Sequence, residues 1–231
     1  MKTNPIIIIV AFFAFTLLNS SCGPAIFKAT FDSDTVNRPP DSNPPGAPAN
    51  DKIKGNCGME VITSSVLNSK AMRFHYDTNC GGSALMWFEA EPIPTSNKSL
   101  NYSFVGYPES SSHKRFHISF AGGHFKGAFQ VIYEDGTMYL TDGGYNKHNI
   151  GTYVANQKQL FVVNMNRNKD QYNLSIIQPG SSNISLKERP ISEDSFWGQS
   201  TYILYLFYDI DDADSSPNGY VIDEVKINKE K

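Results

Sequence analysis

Two glutamates, Glu89 and Glu91, are the nearest approach in this sequence to a catalytic pair. They stand two positions apart in a segment with strand-like alternation, so their side chains would share one face. Two carboxyl groups held about 5 Å apart supply the acid and the nucleophile of a retaining glycosidase. However, Pro92 follows at once and places the pair at the end of the strand, where solvated acidic residues are common. We therefore assign no catalytic role to this pair.

The five histidines do not indicate a metal site or a nucleophile either. The tightest spacing is His113-x-x-x-His117, which would bring the two rings together on a helix. Phe116, Ile118 and Phe120 mark this stretch as a strand, so the rings are not expected to pair. The sequence also lacks a Gly-x-Ser-x-Gly motif and a phosphate-binding loop. We predict a protein that binds and does not catalyse, with no catalytic residues.

An acidic stretch near the end of the chain has the density of oxygen ligands that calcium prefers. Its carboxylates belong to Asp209, Asp211, Asp212 and Asp214. Two features of an EF-hand are missing, because Asp214 occupies the glycine position and Tyr220 the position of the bidentate glutamate. Two interpretations stay open: a structural calcium site, and a solvated acidic turn. Apart from such a calcium ion, no cofactor is expected.

The segment Thr141–Ile150 is the first candidate for ligand binding, because it is polar, loop-like and contains an aromatic residue. Sugars stack on exposed aromatic rings and hydrogen-bond to polar side chains around them. The segment offers an acceptor, a stacking platform and three donors, which are Asp142, Tyr145, Asn146, Lys147 and His148. Trp87 is the second candidate. For any of these aromatic residues the alternative is a place in the core.

The first residues of the chain have the form of an export signal. Lys2 precedes an apolar run of about 14 residues, which is shorter than a helix needs to span a bilayer and fits a signal peptide. The run leads into Ser20-Ser21-Cys22, which resembles the lipobox of bacterial lipoproteins. Asn19 departs from that pattern, in which an aliphatic residue is usual.

The lipobox resemblance implies that residues 1–21 are removed and that Cys22 is acylated. The lipid would anchor the chain to a membrane of the cell envelope, at the outer membrane or in the periplasm. The alternative is an ordinary signal peptide that is cut near Ser21 or Ala25. In either case the sequence predicts export.

The other two cysteines, Cys57 and Cys80, form an even pair once Cys22 carries lipid. Disulfides persist in oxidising compartments outside the cytosol. Glycines flank both residues, which indicates loops or strand ends. A bridge between them would stabilise the fold by about 3 kcal/mol through its restriction of the unfolded chain. The alternative is a pair of buried thiols; the spacing does not fit zinc.

Composition excludes one class of partner and favours one class of fold. The net charge is −3 with 19% charged residues, so the chain has no broad basic field for nucleic acid. Aromatic residues make up 13% of the chain, which favours sheet. Six prolines between residues 24 and 48 keep most of that stretch out of a central strand, and 38–50 is predicted as an extended loop.

Short apolar segments and turns alternate along the rest of the chain, and no helical stripe with caps occurs. In Ser83–Glu91, Ala84, Met86 and Phe88 share one face, with Trp87 on the other. Asp135-Gly136 between two such segments predicts a hairpin. The spacing predicts a sandwich or barrel. The predicted strands are Ile26–Phe31, Met59–Ser65, Ala71–Tyr76, Ser83–Glu91, Asn101–Val105, Phe116–Phe120, Gly127–Tyr133, Thr137–Thr141, Gly151–Ala155, Leu160–Met165, Tyr172–Gln178, Thr201–Ile210 and Tyr220–Ile227.

Three segments, Phe31–Asp34, Gln159–Ile176 and Gly219–Ile227, resemble the first strand, the central strand pair and the closing strand of the concanavalin A-like, laminin-G-type jelly roll. The resemblance implies an all-β, two-sheet antiparallel jelly-roll sandwich over residues 26–231, in which the first and closing strands pair. Hydrolases of this superfamily carry a Glu-x-Asp-x-x-Glu strand, which this sequence lacks. The family also contains sugar-binding modules, adhesion domains and polysaccharide lyases.

The predicted organisation is a signal peptide (1–21), a lipid-anchor segment (22–25) and one jelly-roll domain (26–231). We predict an exported, lipid-anchored envelope domain that binds glycan, with a membrane as partner through its lipid and no nucleic acid. One alternative is a structural or adhesion module that binds an envelope protein. Another is a degenerate or unrecognised polysaccharide-cleaving enzyme.

Overall fold

The computed structural model describes residues 25–41, 52–55, 58–76, 84–89, 99–113, 115–120, 127–142, 146–192, 202–208 and 219–229. In these ranges there is no α-helix, and hence none that is long and apolar enough to span a bilayer. One short 3₁₀ helix covers Arg167–Lys169. The strands in chain order are β1 (Ala25–Ala29), β2 (Lys52–Gly55), β3 (Met59–Ser64), β4 (Ser69–His75), β5 (Ala84–Glu89), β6 (Ser99–Pro108), β7 (Phe116–Phe120), β8 (Phe129–Glu134), β9 (Thr137–Thr141), β10 (Lys147–Thr152), β11 (Gln159–Asn166), β12 (Gln171–Ile177), β13 (Ile184–Pro190), β14 (Tyr202–Tyr208) and β15 (Gly219–Lys229).

These strands form two antiparallel sheets that enclose one main core. The eight-stranded sheet has the order β13-β12-β11-β6-β15-β4-β3, with β1 also paired to β15. The seven-stranded sheet has the order β10-β9-β8-β7-β14-β5-β2. Alternating side chains from both sheets point inward, as period-2 patterns require, and fill the space between them with aromatic rings. The predicted all-β, two-sheet antiparallel class is confirmed.

The last strand, β15, holds the eight-stranded sheet together because it pairs with three other strands. It runs beside β6 along one edge. On its other edge its first half pairs with β4 and its second half with β1. The change of partner coincides with a bulge between Asp223 and Lys226, where Glu224 adopts a φ of 52°. The predicted pairing of the first and closing strands is confirmed.

A series of hydrogen bonds through Gln159 and Gln178, which we call the glutamine chain, crosses the core between the sheets. The hydroxyl of Tyr133 donates to Oε1 of Gln159 over 2.6 Å, and Nε2 of Gln159 donates to Oε1 of Gln178 over 2.8 Å. Nε2 of Gln178 then donates to the carbonyl oxygens of Thr152 and Ser182, both at 3.3 Å. Burial raises the pKa of Tyr133 well above its ordinary value. Because these buried amides are hydrogen-bonded, the chain serves the fold and needs no ligand.

Several strands differ from their predicted positions. The Asp135-Gly136 hairpin forms as predicted, with φ values of 45° and 75° that suit a primed turn. In contrast, β2 and β13 were not predicted, because both are polar edge strands without a clear apolar alternation. The segment predicted as a loop, Thr141–Ile150, instead turns into β10, which begins at Lys147.

Candidate functional site

Strand β5 places Trp87 on the outer face of the seven-stranded sheet. Ala84, Met86 and Phe88 are fully buried in the core, so the residues between them must point away from it. On its two sides β5 pairs with β14 and β2, which hold this register from both edges. The indole is half-buried at this position and is not part of the core. The predicted alternation, with Trp87 on the face opposite Ala84, Met86 and Phe88, is confirmed, and of the two open interpretations of its ring the structure favours a position outside the core.

A cation and an anion flank the indole. Lys54 stands directly opposite Trp87 on β2, and Glu89 lies two residues farther along the same face of β5. Nε1 of Trp87 donates to Oε2 of Glu89 over 3.4 Å, and Lys54 forms an ion pair with the same carboxylate. The ring is thus held by its polar edge and has hydrogen-bonding groups beside it. This arrangement is typical of a platform on which a sugar ring stacks while its hydroxyls are bound.

The same face continues across β14, β7 and β8 with a stacked ring pair. The rings of His117 and Phe207 are parallel within 16°, with centroids 4.1 Å apart. Nδ1 of His117 lies 3.4 Å from Oε1 of Gln130, within reach of a hydrogen bond. Although these residues point away from the main core, His117 is only 7% exposed and Phe207 is fully buried. We call the set Lys54, Trp87, Glu89, His117, Gln130 and Phe207 the Trp87 face.

A buried hydroxyl lies beside His117 on this face. Ser119 is fully buried, and its Oγ has no hydrogen-bond partner within the part of the chain that the structure describes. A Cβ on Gly127 would come within 2.3 Å of that oxygen, so only glycine fits at this position. The backbone of Gly127 therefore packs directly over the hydroxyl.

The first predicted site lies elsewhere, at the edge of the sandwich. Asp142 follows β9 and points inward, where its carboxylate accepts a hydrogen bond from the guanidinium of Arg189 on β13. Nε2 of His148 on β10 lies 3.5 Å from the other carboxylate oxygen. Because β9 and β13 belong to different sheets, the Asp142–Arg189 ion pair joins the two layers. The carboxylate that was predicted to accept bonds from a ligand is thus already occupied by Arg189.

The residues around this ion pair lie at the boundary of the core. The ring of Tyr172 stacks on Phe129 with centroids 3.8 Å apart, next to Asp142. Burial raises the pKa of Tyr172 above its ordinary value, and the charge of Asp142 raises it further. Asp142 therefore closes the edge of the core.

Replacing Asp142 with alanine should lower the free energy of unfolding by about 2 kcal/mol, because Arg189 would lose the charged hydrogen-bond partner that the largely buried carboxylate of Asp142 supplies. Urea denaturation measures this change. His148→Ala is the control and should change stability little, since its side chain is 52% exposed. Unchanged stability of Asp142→Ala together with lost ligand binding would contradict the structural role.

The predicted ligand residues therefore fall into two places. Asp142 and His148 meet at the sandwich edge, with Asn146 immediately before β10. Trp87 lies four strands away in the same sheet, which is roughly 19 Å at the usual strand spacing. Tyr145 lies outside the described residues, as do Glu91, Cys22, Cys57, Cys80 and the acidic residues Asp209, Asp211, Asp212 and Asp214. The structure describes no group of three or more metal-binding side chains in the ranges given above.

Residues that the sequence analysis did not assign to a site make up most of the Trp87 face. The alternation in β7 could have placed His117 and Ser119 outward, since Phe116, Ile118 and Phe120 already marked the inner face. Lys54 had no such signal, because β2 was not predicted. Arg189, at the other site, is separated from Asp142 by 47 positions, and no sequence pattern links them.

Comparison with known proteins identifies the fold. No protein-family model matches the chain, and no curated protein matches it. Among solved structures, it is similar to the catalytic domain of a glycoside hydrolase family 131 protein from Coprinopsis cinerea, with 10% identity, a TM-score of 0.57, and 90% and 95% of the two chains covered. The family 131 β-glucanase catalytic domain from Podospora anserina is similar to the same degree, with 10% identity, a TM-score of 0.55, and coverage of 90% and 97%. The fold is a jelly-roll sandwich.

A second kind of protein has a similar structure. The binding domain of botulinum neurotoxin serotype D matches with 11% identity and a TM-score of 0.54 over 90% of this chain. The chain spans about half of that domain, 48% of its length. At these identities the likeness shows the fold alone, and the jelly roll is shared by proteins that cleave and proteins that bind.

Proposed function

We propose that the protein is an exported, lipid-anchored domain of the cell envelope that binds glycan on the part of the Trp87 face formed by Lys54, Trp87 and Glu89. The observation that carries this proposal is the half-buried indole of Trp87, flanked by Lys54 and Glu89 on an outer sheet face. Cys22, as a lipidated residue, would supply the anchor. The fold shared with glucanase catalytic domains is consistent with a polysaccharide as ligand.

Glycan binding without cleavage fits the carboxylate on this face. Glu89 is engaged by Lys54 and by the indole N–H, and among the described residues of this face it is the one carboxylate. A retaining glycosidase needs two carboxyl groups about 5 Å apart. The second candidate function is polysaccharide cleavage, which the likeness to family 131 catalytic domains favours. A glycan array with the mature chain distinguishes the two: retained glycan supports binding, and released oligosaccharide supports the enzyme. A domain that binds only proteins would retain no glycan.

Replacing Trp87 with alanine should raise the Kd for the best array glycan about tenfold, because a stacking contact contributes about 1–2 kcal/mol. Isothermal titration calorimetry measures the affinity. The melting temperature should hardly change, since the ring is half-buried outside the core. Trp87→Phe should retain part of the affinity because it keeps an aromatic face.

Val154→Ala provides the control, because Val154 is apolar, 53% exposed and not on the Trp87 face. It should bind glycan as the wild type does. A Trp87→Ala variant that is stable and binds with unchanged affinity would move the site away from this face, and a large loss of stability would assign the indole to the core.

A further inference from the structure

The strand that begins the fold lies very close to the predicted lipid. Only Gly23 and Pro24 separate Cys22 from Ala25, the first residue of β1. A fully extended chain spans at most about 3.6 Å per residue, so Ala25 can be no more than roughly 11 Å from the acylated residue. The proline-rich stretch follows β1 and cannot act as a spacer between lipid and domain. An anchor at Cys22 therefore holds this end of the sandwich at the membrane surface.

Two lysines face each other next to this end. Lys28 on β1 is directly opposite Lys226 on β15, and both lie on the outer side of the eight-stranded sheet. Neither forms an ion pair with any residue that the structure describes. Like charges directly opposite each other on neighbouring strands destabilise a sheet. An anionic partner outside the protein would relieve this repulsion.

Two more lysines lie at the same end. Lys229 ends β15 opposite Leu100, near the start of β6. Lys169 is exposed at the end of the 3₁₀ helix that links β11 to β12, beyond the pairing of Asn166 with the first residue of β6. Neither lysine has an ion-pair partner in the described ranges. We call Lys28, Lys169, Lys226 and Lys229 the basic end. The exposed Asp170 lies there too and offsets one of the four positive charges.

The opposite end of the strands, which we call the acidic end for Glu109, Glu134 and Asp135, also carries the cations Arg73, Arg115 and Lys158. Glu109 follows β6 there and binds both Arg73 and the backbone N–H of Gly219, the first residue of β15. Asp135 lies there too, in the turn of the β8–β9 hairpin. The whole chain has a net charge of −3, so the positive charge of the basic end is a local feature of an acidic protein.

We propose that the basic end is a membrane-contact surface that binds the anionic headgroups of phospholipids beside the acyl anchor. This inference rests on the acylation of Cys22 in the proposed function. Lysines near a membrane are attracted to anionic lipid within a Debye length, and a lipid anchor keeps them inside that distance. The domain would then stand on the bilayer with its acidic end outward and the Trp87 face at its side.

The test measures how strongly the lysines bind vesicles in a protein that has no lipid anchor. The mature chain from residue 22 with Cys22→Ser keeps every described strand and carries no lipid. We expect it to co-sediment with vesicles of phosphatidylcholine mixed with phosphatidylglycerol at low salt, and to be released by high salt. Lys28→Gln/Lys226→Gln should weaken this binding by about 25-fold, since each lysine contributes about fivefold. Vesicles of phosphatidylcholine alone should not bind.

The matched control is Arg115→Gln/Lys158→Gln, which removes the same charge from exposed positions at the acidic end. It should bind vesicles as the parent chain does, and thermal melts should show that both double variants fold. Equal effects of the two variants, or no binding to anionic vesicles, would overturn the basic end as a contact surface. Acylation is checked separately by the mass of the N-terminal peptide of the wild-type protein, so that failure of the anchor and failure of the lysines are distinguishable.

Discussion

Replacing Cys22 with serine is expected to move most of the protein from the membrane fraction to the soluble fraction. A serine hydroxyl does not replace the thiol that receives the acyl chains, and each buried CH₂ group contributes about 0.8 kcal/mol to membrane binding. The membrane-binding free energy that is lost with the acyl chains is therefore larger than the attraction that the lysines of the basic end provide at physiological salt. Detergent phase partitioning of cells that express each variant measures the change.

Ser21→Ala is the control for Cys22→Ser, because it keeps a small residue beside an intact thiol. It should remain in the detergent phase with the wild type. If Cys22→Ser also remained there, the anchor would not be at Cys22. A wild-type protein in the aqueous phase would favour the ordinary signal peptide.

Replacing Gly106 with alanine should lower the free energy of unfolding by about 3 kcal/mol, the upper part of the range for overpacked cores. Gly106 lies near the end of β6, two residues before Pro108, and a Cβ there would come within 2.6 Å of the carbonyl oxygen of Val221 and 2.7 Å of the Tyr220 ring. The ring of Tyr220 fills the space that a side chain would need. Its hydroxyl reaches Oε1 of Gln159 over 3.4 Å. An alanine would therefore disturb both the β6–β15 pairing and the glutamine chain.

Gly136→Ala tests whether the effect of Gly106→Ala comes from packing. Gly136 has a φ of 75°, but the nearest heavy atom to an added Cβ is 3.7 Å away. The backbone strain should cost about 1 kcal/mol. Thermal and urea denaturation should therefore rank Gly106→Ala as clearly less stable than Gly136→Ala; the reverse order would contradict the close packing of Tyr220 on β6.

The sequence predicted the elements whose pattern is local. The alternation through Phe88 was enough to place Trp87 on the opposite face of its strand, and Asp135-Gly136 was enough to predict its hairpin. Edge strands were harder to predict. Lys52–Gly55 and Ile184–Pro190 face solvent over much of their length, so they need little apolar patterning.

The candidate site was harder to predict than the fold because its residues meet only through sheet order. Lys54 reaches Trp87 across a strand pair, and His117 meets Phe207 across another. The sequence predicts Asp142 as a loop residue that binds ligand, and nothing local in it indicates the partner Arg189, which comes from the other sheet. A polar residue that follows a strand can bind a ligand or stabilise the fold. Only the residue that it contacts in the folded structure shows which of the two roles it has.

The pairing of β1 and β4 with β15 has a consequence for when the chain can fold. Until Gly219–Lys229 has been synthesised, β6 has no neighbour on that side, and the eight-stranded sheet is split into separate pieces. Contacts between residues so distant in sequence form slowly. Among the described strands, the one that joins the first to the sixth is also the latest in the chain, so the eight-stranded sheet cannot close before β15 has been made. In the exported protein proposed above, this order would keep the sheet open while the earlier strands cross the membrane.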